Sequence, residues 1–387
     1  MDKRVDYLDG LKGFIAIWVV FTHFMLALFP KGYVGFGSGA AGNMKAEVVA
    51  NLPWSLLSNS SLSLYLFFAM IPMFIVLGYR RHGNDVAVLQ RQAAGRYFQF
   101  VIPVFAATVL AFVLYECGFL KYDAMAELTG APWSQAIIPT THHVGWMLFY
   151  GLLGIYFNNQ VEFLTVLWCM HIIFIGSMLT YGIWALFGNS RYRCLAGIVY
   201  VIVGCFMPEY LVFAGGGLMG EILYSSQKQE KAGKHTNRTW IGLLCILLGA
   251  MLGLVPSPLL PEHVTLHMTY ALASMLLLYG WIQCSWAQKL SSWKGIVGVG
   301  QYSFSVILSH ILVLYSFSYW LYRLLKHFIT DAGVLFGLTF LASLGVILVC
   351  SKVFFVLFER PSRLLAKRVS GYLCDMGENK DKTGAVR

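Results

Sequence analysis

Uncharged apolar runs follow one another along almost the whole chain, separated by short polar stretches. Ile198 to Phe206, Trp240 to Val255, Tyr270 to Ile282 and Val334 to Val349 are clear cases. A bilayer core of about 30 Å is crossed by about 20 helical residues. Backbone in hydrocarbon must satisfy its own hydrogen bonds, which a helix does. The pattern therefore predicts ten spans, at 11–29, 62–79, 98–117, 163–187, 194–207, 210–224, 239–256, 268–287, 301–323 and 333–358. Val144 to Phe157 is apolar too, yet too short for a full crossing, and reads as an interfacial or re-entrant piece on the outer side. Pro208-Glu209 reads as a tight turn between two spans, and the polar stretch from Gly371 onward as a disordered tail.

Composition agrees with the pattern. The chain is 58% hydrophobic and only 12% charged, with a mean hydropathy of +0.66, which excludes an ordinary soluble protein. The expected fold class is all-α: a polytopic membrane helical bundle of about ten transmembrane helices, both termini cytoplasmic. A transmembrane domain is expected at 1–370 and a polar cytoplasmic tail at 371–387, multi-pass in the cell (inner) membrane among membrane lipids. The first apolar run carries Lys12 and His23 and lacks a small-residue cleavage site, so it reads as a retained helix. No internal repeat or separate soluble domain is visible.

The formal charge of +10 would suggest nucleic acid in a soluble protein. Here its placement accounts for it, and no nucleic acid is expected. With the N-terminus inside, the inner segments hold Lys3, Arg4, Arg80, Arg81, Arg91, Arg96, Arg191, Arg193, Lys228, Lys231, Lys234, Arg238, Lys289, Lys294 and the tail from Arg360 to Arg387. The outer segments hold Lys31, Lys45, Lys121 and Lys326, with Arg323 at a boundary. That asymmetry is the positive-inside bias. The eight cysteines are scattered, mostly in apolar runs, with no CxxC spacing, as buried thiols are; neither a disulfide framework nor a metal site is expected.

Within the first span, Lys12 and His23 lie eleven positions apart. At about 100° per residue the two return to within about 20° of one direction, about 16 Å apart along the helix. Ionisable groups on one face of a membrane helix point to a site. A neutral imidazole can take a proton from a hydroxyl, which makes His23 a candidate general base. The competing readings are a core histidine bonded to a neighbouring helix and a lysine snorkelling to the interface. Arg80, Arg81, Arg91 and Arg96 fall on the side of Lys12 and could hold a polyanion such as the phosphates of a coenzyme. For Arg80 and Arg81 the positive-inside bias suffices; Arg96, just before an aromatic helix start, is the more specific candidate. His310 has Tyr302, Ser303 and Ser309 at helical spacing and suits helix contacts slightly better than catalysis. His171 is also intramembrane. His142-His143 reads as a surface pair, since further metal ligands are not identifiable. Haem held by paired histidines is a weaker alternative, because no repeated spacing sets two of them face to face.

Asp6-Tyr7-Leu8-Asp9-Gly10-Leu11-Lys12-Gly13, followed by His23 ten residues beyond Lys12, resembles the opening of the acyltransferase-3 integral membrane family, whose hallmark is Arg or Lys, ten residues, then His. Met73 to Tyr79 resembles that family's aromatic "FFxxSGY" span, and Arg96 to Pro103 its basic loop before the third helix. Trp168-Cys169-Met170 with Gly176-Ser177 resembles its central tryptophan segment, and Gln301-Tyr302-Ser303 with His310 and Glu359-Arg360-Pro361 its closing segments. The resemblance covers about residues 4–365. Leu77 replaces a usual serine, Gln99 stands in place of a second arginine, and Ile173 in place of a common glutamate.

What the resemblance implies is transfer of an acyl group, often acetyl, from cytoplasmic acyl-CoA (acetyl-CoA) as co-substrate to a hydroxyl of a carbohydrate or glycolipid acceptor in the cell envelope. His23 would be the catalytic base or acyl relay, Lys12 and Arg96 the donor-binding cations, and Asp9, His310 and Glu359 supporting residues, with no metal. A non-enzymatic transporter or flippase is the rival from another class, although repeated halves or paired broken helices are not found. A polysaccharide polymerase would call for a large outer loop, and the longest outer segment runs from Gly118 to Glu162.

Overall fold

The computed structural model describes residues 6–30, 54–139, 142–158, 162–189, 194–231, 238–255 and 265–384. Lys3, Arg4, Lys31, Lys45, Arg191, Arg193, Lys234 and Arg387 lie outside them. Among the described residues there is no strand. In chain order the principal helices are α1 (Asp6–Leu28), α2 (Ser60–Arg81), α3 (Val86–Glu116), α4 (Tyr122–Thr129), α5 (Pro132–Ala136), α6 (Val144–Phe157), α7 (Thr165–Phe187) and α8 (Cys194–Phe206). They continue with α9 (Leu211–Lys231), α10 (Thr239–Gly253), α11 (Leu266–Gln283), α12 (Ser285–Ser291), α13 (Lys294–Gln301) and α14 (Ser303–Leu325). The last are α15 (Ala332–Phe354) and α16 (Arg360–Gly384), joined by a π-helical turn at Phe355–Glu359.

A helix occupies each of the ten predicted segments. Six stretches are long and apolar enough to cross a membrane: α1, α2, α3, α7, α14 and Ala332–Cys374. The chain is an all-α, multi-pass membrane bundle.

Two boundaries depart from expectation for local reasons. Helix α3 begins at Val86, where the Asp85 side chain caps it by accepting from the Ala87 amide at 2.9 Å. Arg91 and Arg96 thus sit on a helix rather than in a loop before one. The stretch from Gly371, expected as a disordered tail, continues α16 to Gly384.

The re-entrant reading of Val144–Phe157 has a structural counterpart. His142 lies against Glu116 and Tyr115 at the end of α3. Further along, Gly151 faces Phe105 and Thr108, and Tyr156 packs on Tyr97 near the start of α3. Phe163 is then back beside Phe112 and Tyr150, so the chain descends along α3 and returns to the end it came from.

Close backbone approach sets the position of α1. A Cβ on Gly10 would stand 1.6 Å from the Ser291 carbonyl oxygen, and one on Gly300 would stand 1.7 Å from that of Asp9. Without side chains at these positions α1 lies flush against α12 and α13, the packing that small residues allow between membrane helices. A Cβ on Gly13 would likewise stand 2.4 Å from the Ile296 carbonyl oxygen, so Lys12 is held between Gly10 and Gly13, neither replaceable without moving a backbone.

Candidate functional site

His23 on α1 and His310 on α14 meet ring to ring. His310 Nε2 lies 2.9 Å from His23 Nδ1, with the ring centroids 5.0 Å apart. His310 is fully buried. Its Nδ1 faces the Ile307 carbonyl at 2.8 Å and the Val306 carbonyl at 3.2 Å. Carbonyls only accept, so Nδ1 carries the proton, and in the neutral ring Nε2 is an acceptor. His23 Nδ1–H then donates to it, which leaves the His23 Nε2 lone pair available to a substrate. Two axial ligands would flank an iron, whereas these rings bond each other directly, so the pair does not have the geometry of a haem site.

A wall of aromatic side chains stands beyond the histidines. Trp133 on α5 stacks on His23 at 5.3 Å between centroids and 20° between planes, and lies 6.2 Å from Tyr315. Tyr315 belongs to a π-helical turn, Leu314–Ser318, within α14. Its carbonyl accepts from the Lys121 amide at 2.8 Å, its hydroxyl lies 3.0 Å from Ser134 Oγ, and its ring packs on Tyr122 at 4.3 Å. Thr129 Oγ1 donates to the Ala27 carbonyl at 2.8 Å, and Lys326 Nζ to the Leu128 carbonyl at 3.0 Å. These contacts tie α4 and α5 to the ends of α1 and α14.

The cations occupy another level. Lys12 Nζ is 2.6 Å from Asp9 Oδ1 and lies 5.2 Å from the centre of the Phe74 ring. Arg96 donates to Ser177 Oγ through Nε at 3.1 Å and Nη2 at 2.8 Å, and to Gln99 Oε1 through Nη1 at 3.1 Å. No described carboxylate pairs with Arg96. Its guanidinium lies over Phe100 at 4.6 Å, and Phe100 meets Phe304 at 5.5 Å. Phe304 precedes His310 by six residues, about 9 Å of helix. Arg96 is therefore displaced from the histidines towards the start of α14, the end where Asp9 touches Gly300. Lys12 and Arg96 share that end.

The expected site residues therefore divide into groups. The structure brings His23 to His310, and Lys12 to Asp9. Glu359, 2% exposed, stays at the level of the cations: Ser305 Oγ donates to its Oε2 at 2.5 Å, and Arg363 pairs with it. It does not reach the histidines. Gln99, where the resemblance calls for a second arginine, bonds Arg96; Leu77 is packed in the core, and Ile173 lends its carbonyl to Ser177 Oγ at 2.5 Å. His171 bonds the Tyr156 carbonyl at 2.9 Å, and His142 pairs with Glu116 at 2.5 Å, both structural contacts. Among the described residues, no three His, Cys, Asp or Glu side chains are grouped to hold a metal.

Trp133 was missed in the sequence, where it carried no periodic signal. Ser177 was named there only within the resemblance, not as the partner of Arg96. Arg80, attributed to topology, is 4% exposed, with Nε 2.5 Å from Glu221 Oε1 and Nη1 2.6 Å from Asn84 Oδ1. An acid within an otherwise apolar run, Glu221 after Gly215-Gly216-Gly217, was the available clue. No protein-family model, curated protein or solved structure matches the chain.

Proposed function

We propose that the protein is a membrane O-acyltransferase that moves an acyl group, acetyl in the simplest case, from cytoplasmic acyl-CoA to a hydroxyl of an envelope carbohydrate or glycolipid. The observation that carries this reading is the His23–His310 bond, which turns the free Nε2 of His23 into an oriented base. The resemblance of Lys12, ten residues and His23 to the acyltransferase-3 opening supports it. So do two cations displaced towards one end, suited to the phosphates of a coenzyme.

In the proposed step, the acceptor oxygen attacks the thioester carbonyl carbon while its proton passes to His23 Nε2. The C–O bond forms, the C–S bond breaks, and the proton is returned to the departing thiolate. Throughout, His310 accepts from His23 Nδ1–H and holds the ring. Lys12 and Arg96 bind the donor. On this reading the chain crosses the inner membrane ten times with both termini cytoplasmic, and the Trp133 wall faces the acceptor side.

The test is mass spectrometry of envelope glycans from cells expressing the wild type, His23→Ala or Lys12→Ala, supplied with isotope-labelled acetate. Label that depends on the wild type and disappears with His23→Ala is expected. Equal label in all three strains would overturn the catalytic assignment. Absence of any acyl group dependent on the protein would favour transport of an envelope precursor.

A further inference from the structure

Helix α12 presents its apolar side outwards. Ala287 and Ser291 are buried against the rest of the protein, with Ser291 meeting Gly10 of α1 and accepting from Trp281 Nε1 at 3.0 Å. Trp286 and Leu290, one turn apart, each expose 60% of their surface, and Trp293 just beyond exposes 70%. Trp240, which opens α10, is 71% exposed and meets Trp286 edge to face at 5.8 Å. The apolar surface continues along α10 through Ile241, Leu244, Leu248 and Met251, all exposed. Arg238, Lys289 and Lys294 are exposed beside the tryptophans. The sequence has no Asp or Glu between Glu262 and Asp331.

The geometry points to an interfacial anchor that docks on anionic phospholipid headgroups. Tryptophan belongs at the headgroup boundary, with an apolar ring and a polar N–H. Lysine and arginine beside it pair with lipid phosphate and gain from a negative leaflet surface. The patch is continuous with the outward apolar side of α10, so the occupant that covers one covers both, and a lipid layer does so. The anchor is rigidly joined to the candidate site. Through Gly10 on Ser291 and Gly13 on Ile296, the depth of α12 in the leaflet sets the depth of Lys12. None of this depends on the acyl-transfer reading.

The full chain, carrying the photo-crosslinker p-benzoylphenylalanine at Leu290, is reconstituted in vesicles of phosphatidylglycerol mixed with phosphatidylcholine, irradiated, and its adducts weighed. Phospholipid adducts enriched in phosphatidylglycerol over its bulk fraction are expected. Lys289→Gln with Lys294→Gln should cut that enrichment roughly fivefold per charge, while total lipid adduct stays constant. Adducts to protein, including a second copy of the chain, or no lipid adduct at all, would overturn the proposal, as would enrichment indifferent to the two lysines. Should the labelled chain fail to fold, the unlabelled protein provides a second measurement. Its melting temperature should rise on adding phosphatidylglycerol, and no rise would overturn the proposal equally.

Discussion

His310 offers a sharper test of the histidine pair than His23, because it is needed for orientation and not for proton transfer. His310→Phe keeps a ring beside His23 but removes the His310 nitrogen that accepts from its Nδ1–H. Turnover should fall about 100-fold or more with KM for the acyl donor unchanged, as expected when an orienting group is lost. His310→Gln, which retains an acceptor, should recover part of that loss. Steady-state kinetics on the purified protein separate the two parameters. Arg96→Lys argues the opposite case. It keeps a charge but loses the fork that grips Ser177 through two nitrogens. Here KM for the donor should rise about tenfold or more, with turnover little changed.

At the scale of elements, the glycine seam of α1 makes an asymmetric prediction. Gly10→Ala drives a methyl into the Ser291 carbonyl, and the helices must part, at a cost of about 3 kcal/mol or more. Gly298→Ala on α13 meets nothing within 4 Å and removes a helix-interior glycine, so it should stabilise by up to about 1 kcal/mol. Thermal melts of the two variants in one detergent should move in opposite directions. The same seam shows what a sequence can reveal. Apolar runs give the helices, because local length and hydropathy are all that hydrocarbon demands. The shared face of Lys12 and His23 was legible because it needs only the period of one helix. The bond from His23 to His310 spans 287 residues and has no local period. Trp133 was hidden for a related reason: a short amphipathic turn between spans is placed by the helices it covers, not by its own pattern. The extension of α3 back to Val86 was missed because basic residues were read as loop, although helices carry them well outside the hydrocarbon.

Across the whole molecule, Arg80 and Glu221 lock α2 to α9. Arg80→Ala leaves the acid, 21% exposed, without its cation, and should cost about 3–5 kcal/mol. Adding Glu221→Leu should restore much of the melting temperature, which distinguishes a lost pair from lost packing. The hairpin at α6 makes a topological prediction. Because the chain returns to the same end of α3, a periplasmic phosphatase fused after Lys228 should be inactive, whereas a full crossing there would make it active. The π turn at Leu314–Ser318 has a consequence for how the gene can change. It holds one residue more than an α-helical turn needs, so deleting one codon there would make α14 more regular. Because the π turn absorbs that residue, Tyr319 to Leu325 would keep their orientation relative to His310. The carbonyl of Tyr315 would return to the helix, and the Lys121 amide would lose it. In a length series of this turn, therefore, the smoothest helix should be the inactive one.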